Sequence, residues 1–169
     1  VQILVLGGLC MGKGLAKHKM ELALARYCLA PIAHRPRLFV LVLMFLAALS
    51  CVAVSNVAAP VLVLNVVQPT LWRMDRSDGG PQVILLAIAF ACNAGGMLGP
   101  LASPQNAVAL KALGPHGISY AEWLGGSLPI VILLILSAWA LLLTIWKPFQ
   151  DPNYVIPVAD GSSSSTIII

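Results

Sequence analysis

Long apolar runs broken by short polar interruptions make up most of the chain, and the runs are too uniform to be the single faces of soluble helices or strands. Residues 124–146 form the clearest run, uncharged and long enough for the ~20 helical residues that a bilayer core requires, with Trp139 in its inner half and Trp146 at its boundary. Residues 83–101 form a second. Their latter half reads Cys92-Asn93-Ala94-Gly95-Gly96-Met97-Leu98-Gly99-Pro100, a concentration of helix breakers that predicts an interrupted helix. Residues 38–68 are too long for one upright span and carry Ser50, Ser55, Asn56, Pro60 and Asn65 near and beyond their middle, where polar groups are expensive in lipid. A re-entrant helical hairpin with Ser55 and Asn56 near its tip accounts for this, each arm about fifteen residues and ~22 Å long. The alternative is one helix over about residues 38–59, followed by a short apolar loop.

Charge placement favours the hairpin. Residues 12–37 are basic and amphipathic, which suits a helix lying at the membrane interface, and residues 73–80 form a charged turn. If the hairpin re-enters, both segments lie on one side and Lys147 rejoins them, so nine of the ten Lys and Arg residues share a face and only Lys111 lies toward the other. The positive-inside rule makes that shared face cytoplasmic. The resulting plan is the end of a truncated transmembrane helix (1–11), a basic interfacial helix (12–37), the re-entrant hairpin (38–72) and a cytoplasmic loop (73–81). A broken transmembrane helix (82–113), an extracytoplasmic loop (114–122), a transmembrane helix (123–146) and a disordered cytoplasmic linker (147–169) complete it. The linker carries Pro148, Pro152, Pro157 and the run Ser162 to Ser165, a composition that does not support a packed core.

Composition agrees with a lipid environment. Of 169 residues, 59% are hydrophobic and only 9% charged, with a mean hydropathy of +0.92, whereas soluble domains carry roughly 25% charged residues. The expected fold class is therefore all-α, a polytopic membrane protein. Val1 stands where an initiator Met would, so a fragment of a longer protein is expected, and residues 1–12 lack the basic start of a signal peptide. The net charge of +4 is better explained by a cytoplasmic membrane face than by nucleic acid. Cys10, Cys28, Cys51 and Cys92 are scattered through apolar stretches without zinc-site or disulfide spacing, and read as small buried apolar residues.

Other chemistries fail on specific residues. Gly7 to Lys13 has the spacing of a P-loop, but Gly14 stands where the Mg²⁺-binding Ser or Thr is required. His18, His34 and His116 have no mutual metal-ligand spacing. Glu21, Asp75, Asp78, Glu122, Asp151 and Asp160 all flank the apolar runs, which argues against a proton antiporter and against an aspartyl intramembrane protease. No enzyme is indicated and no organic cofactor is implied.

Two short segments remain: Ser55-Asn56-Val57-Ala58-Ala59-Pro60 at the hairpin tip, and residues 95–106 at the helix break. Both set hydroxyl and amide groups beside Gly and Pro. Unwound backbone at mid-membrane depth offers carbonyls to a cation, and the half-helix N-termini that follow offer N–H groups to an anion, so one site can take both. The plainer alternative is that these small polar residues only pack helix against helix.

These segments resemble a known family. Leu6-Gly7-Gly8-Leu9-Cys10-Met11-Gly12-Lys13, Ser55 to Leu62 with Gln68-Pro69, and Gly95-Gly96-Met97 followed by Ser103-Pro104-Gln105-Asn106 are similar to the divalent-anion:sodium symporter family, nearest its eukaryotic low-affinity phosphate permease branch. The resemblance covers residues 1–146 and implies the first of two inverted repeats, with a hairpin entering from the cytoplasm. It implies cation-coupled symport of a small anion, phosphate above all, with sodium as the coupling ion and a homodimer in the plasma or vacuolar membrane. The implied substrate-binding residues are Asn56, Val57, Ser103, Pro104, Gln105 and Asn106; the implied sodium site is drawn from Ser50, Cys51, Ser55, Asn56, Ala102 and Ser103. Cys51 stands where the family often has a hydroxyl ligand, and Val57 replaces a common Thr, which fits phosphate better than dicarboxylates. Sulfate, dicarboxylate and arsenite permeases share the architecture, and a non-transporting membrane fragment is the reading from a different class.

Overall fold

The computed structural model describes residues 29–53, 56–75, 79–100, 102–113, 117–149 and 154–157. The expectations for residues 1–11, for most of the basic segment, for Cys10, Cys28 and Ser55, and for most of the tail lie outside these residues. A 3-10 turn, Ala30–Ile32, leads into five α-helices: α1 (Pro36–Ala53), α2 (Ala58–Arg73), α3 (Gly80–Gly95), α4 (Pro104–Ala112) and α5 (Tyr120–Trp146). There is no strand among the described residues.

Local sequence explains where the helices begin. Pro36 and Pro104 open α1 and α4, where a missing N–H costs nothing. Ser103 caps α4 by accepting from the Asn106 amide, and Gly79, at φ 67°, makes the left-handed turn that precedes α3. A full capping box starts α5: the Ser119 amide donates to the Glu122 carboxylate at 2.8 Å, and the Glu122 amide donates to Ser119 Oγ at 3.3 Å. The Ser119 main-chain donor, helped by the Ser119 hydroxyl, holds this exposed carboxyl below its usual range. By contrast α2 begins with no side-chain cap and contains Pro69, which removes one internal hydrogen bond.

The core is the α1–α3 contact. Phe39, Val40, Leu43, Met44, Ala47, Ala48 and Cys51 recur at helical spacing on α1 and are buried against Val83, Ile84, Ala87, Ile88, Ala91 and Cys92 of α3. Small residues bring the two backbones together: a methyl group placed on Gly95 would lie 2.5 Å from Ala48 Cα. From α5, Val131, Ile135 and Leu142 are buried in the same cluster.

The chain gathers its turns at two ends of this bundle. At one end the Ile156 amide donates to Ala33 O at 3.1 Å, Phe149 lies against Gly80, and Trp146 lies against Gly79. The start of α1, the start of α3 and the end of α5 therefore share this end. So does the end of α2, because Met74 also packs on Gly80. At the opposite end the α1–α2 turn at Asn56 meets the α3–α4 connection, and α5 begins beside it through Trp123. Helices α1 and α2 thus form a hairpin whose two outer ends coincide.

Among the described residues only α5 is long and apolar enough to cross a membrane; α1 and α3 are apolar but shorter. Only 17% of the most apolar window of α5 is buried within the molecule, so its other faces require lipid or further protein.

Candidate functional site

The two polar segments singled out in the sequence meet. The Asn56 amide donates to Ala102 O at 3.0 Å, which ties the α1–α2 turn to the connection between α3 and α4. The Asn56 side chain lies over Gly96, where an added methyl would come within 3.0 Å of Asn56 Cβ. No side chain larger than hydrogen fits there without displacing the asparagine. Asn56 Oδ1 is buried and has no hydrogen-bond partner. Such an orphan costs about 1–3 kcal/mol unless a ligand satisfies it.

Asn106 shapes the other wall. Its Nδ2 donates to Gly96 O at 2.7 Å and to Gly99 O at 2.8 Å, so both amide hydrogens hold main-chain carbonyls of the non-helical stretch after Gly95. Ser103 is buried and accepts from the Asn106 main-chain amide at 3.4 Å. Gly96 is thus the shared neighbour, with its Cα beneath Asn56 and its carbonyl on Asn106. Gln105 and Val57 are exposed, and Ala102 is buried with its carbonyl on the Asn56 amide.

Two residues of the implied sodium set, Ser50 and Cys51, point elsewhere. Ser50 Oγ donates back to Leu46 O within α1 at 2.8 Å. Cys51 Sγ donates to Ala47 O at 3.3 Å and to Cys92 O at 3.4 Å, inside the α1–α3 contact. A soft thiol in that position does not suit a hard cation, which takes oxygen ligands.

Trp123 was not anticipated. Its indole Nε1 donates to Met97 O at 2.9 Å, so α5 holds a third carbonyl of the unwound stretch. The available signal was an indole in the first turn of an apolar helix, a donor that must find an acceptor when partly buried. A cavity of about 410 Å³ between α3 and α5 is lined by Phe90, Asn93, Met97, Leu134, Ser137 and neighbours, and Asn56, Ser103 and Asn106 take no part in it.

The sequence that builds this crossing has counterparts among known proteins. The CitMHS citrate transporter model matches residues 1–162. The chain belongs to the CitMHS family. This is a family of membrane transporters rather than enzymes, and it makes the chain part of a polytopic helical membrane protein. Among its relatives, an uncharacterized transporter of Schizosaccharomyces pombe is 37% identical over 140 residues, 83% of this chain and 16% of that protein. The inorganic phosphate transporter PHO87 of Saccharomyces cerevisiae is 30% identical over 86% of this chain and 16% of its own length. The low-affinity phosphate transporter PHO90 of the same yeast is 38% identical over 67% of this chain and 13% of its own length. The chain therefore spans about one-sixth of the length of these relatives.

Proposed function

We propose that this chain is the first inverted repeat of a secondary transporter for a small inorganic anion, phosphate foremost, driven by sodium. The observation that carries the reading is the orphaned Asn56 Oδ1, buried where the hairpin turn meets the unwound stretch after α3. A buried acceptor beside the Ala102 carbonyl suits a sodium ion; the amide turned over presents donors to an anion. Ser103 and the N-terminus of α4, with Pro104, Gln105 and Asn106, complete the anion side. Two relatives bear the name of phosphate transporters, which favours phosphate. In this reading α1 and α2 re-enter the membrane from the cytoplasm, residues 82–113 form the broken helix, and hairpin and broken helix move together between the two sides. The second repeat supplies the opposing half of the site, so the 169 residues alone do not transport.

The family model is described as a citrate transporter, which makes a carboxylate the second reading. Radiolabelled phosphate uptake by the full-length parent, with and without sodium and with citrate or sulfate as competitors, separates the two. Asn56→Ala and Asn106→Ala should each abolish sodium-dependent uptake at unchanged surface expression. Phosphate uptake indifferent to both changes, or to sodium, defeats the proposed site or its coupling ion.

A further inference from the structure

Beneath the Asn56–Gly96 contact lies a pair of groups that the transport reading does not use. Cys51 and Cys92 are free thiols, 0% and 2% exposed, on the facing sides of α1 and α3. Both sulfurs reach the same carbonyl oxygen, that of Ala47, at 3.3 Å for Cys51 and 4.0 Å for Cys92. Cys51 Sγ also lies 3.4 Å from the main-chain oxygen of Cys92 itself. The Ala48–Gly95 contact, one turn away on each helix, holds the backbones close enough to keep them facing.

We propose that Cys51 and Cys92 form a dithiol site that binds one trivalent arsenic across the α1–α3 contact. The ligand class follows from what surrounds the sulfurs. Among the described residues no third Cys, His, Asp or Glu joins them, so a cation that needs four such ligands is not served. A thiophilic centre satisfied by two sulfurs is. Arsenous acid, As(OH)₃, is small and neutral and condenses with protonated thiols. Two As–O bonds break and two As–S bonds form. The two thiol protons leave with two hydroxyl groups as two waters, one hydroxyl stays on arsenic, and no atom changes oxidation state.

The site stands apart from the transport reading and is tested by binding alone. The full-length parent in detergent is incubated with sodium arsenite and desalted, and bound arsenic is measured per chain. The wild type should retain one arsenic more than Cys92→Ala or Cys51→Ala, released by an added dithiol, because a single thiol forfeits the second bond and binds on the order of 100-fold more weakly. In the wild type arsenite should also shield both cysteines from N-ethylmaleimide present while the protein is opened in dodecyl sulfate, read by peptide mass spectrometry, a measurement that needs no variant to fold. Equal arsenic in wild type and Cys92→Ala, or alkylation of both cysteines unchanged by arsenite, overturns the proposal. Arsenite taken up as cargo and lost on desalting does so as well.

Discussion

Asn106 uses both of its amide hydrogens on the Gly96 and Gly99 carbonyls, and Trp123 adds a third main-chain contact at Met97. The non-helical stretch is thereby held by side chains from α4 and α5, where helical hydrogen bonding has lapsed. Trp123→Phe keeps an aromatic ring but removes the indole N–H together with its pyrrole ring, so Met97 O loses its partner. A net cost of about 1 kcal/mol is expected for one such bond. In the proposed transporter this should raise the KM for the anion several-fold, with thermal stability lowered by a few degrees at most. Unchanged KM in uptake assays would show that the indole braces nothing that the anion touches. At this scale residue chemistry was legible from local sequence: Ser, Asn, Gly and Pro together marked both segments. Which atoms face each other was not, because Cys51, Ser50 and Asn56 sit within seven residues and yet point to the α3 contact, to their own helix and to Gly96 respectively.

Elements add a constraint that no residue shows alone. Helices α1 and α3 approach closely because Gly95 meets Ala48 with nothing between them. Gly95→Ala places a methyl 2.5 Å from Ala48 Cα and 2.6 Å from its carbonyl oxygen, both main-chain atoms that cannot swing aside. The helices must separate, at a cost of about 1–3 kcal/mol for overpacking. The full-length protein should unfold at lower temperature and the Cys51–Cys92 pair should open; thermal unfolding and maleimide labelling measure both. A variant as stable as wild type would mean that the α1–α3 spacing is looser than described. Sequence pattern predicted an interrupted helix from the Gly-rich run, and α3 ends at Gly95 with α4 beginning at Pro104. It could not indicate that Gly95 serves α1 while Gly96 serves Asn56, since glycine leaves the same mark whether it breaks a helix or admits a neighbour.

For the whole molecule, the decisive feature is that the outer ends of α1 and α2 lie together with the start of α3 and the end of α5. Arg35, Arg37, Arg73 and Lys147 are all exposed near that end. Arg35→Cys and Arg73→Cys in the full-length parent should therefore react with a membrane-impermeant maleimide from the same, cytoplasmic, side. Labelling from opposite sides would replace the re-entrant hairpin by a full crossing. Hydrophobic runs and scarce charge determined on their own that the chain is helical and belongs in lipid, because bilayer length and the cost of buried charge act on each segment separately, while the likeness to a transporter family rested on the short motifs. Only the tertiary structure decided that Asn56 meets Gly96 and Ala102, that Trp123 reaches Met97, and that two cysteines 41 positions apart face one another. Those pairings depend on helices packing across long separations, and hydropathy along a chain carries no record of which faces touch.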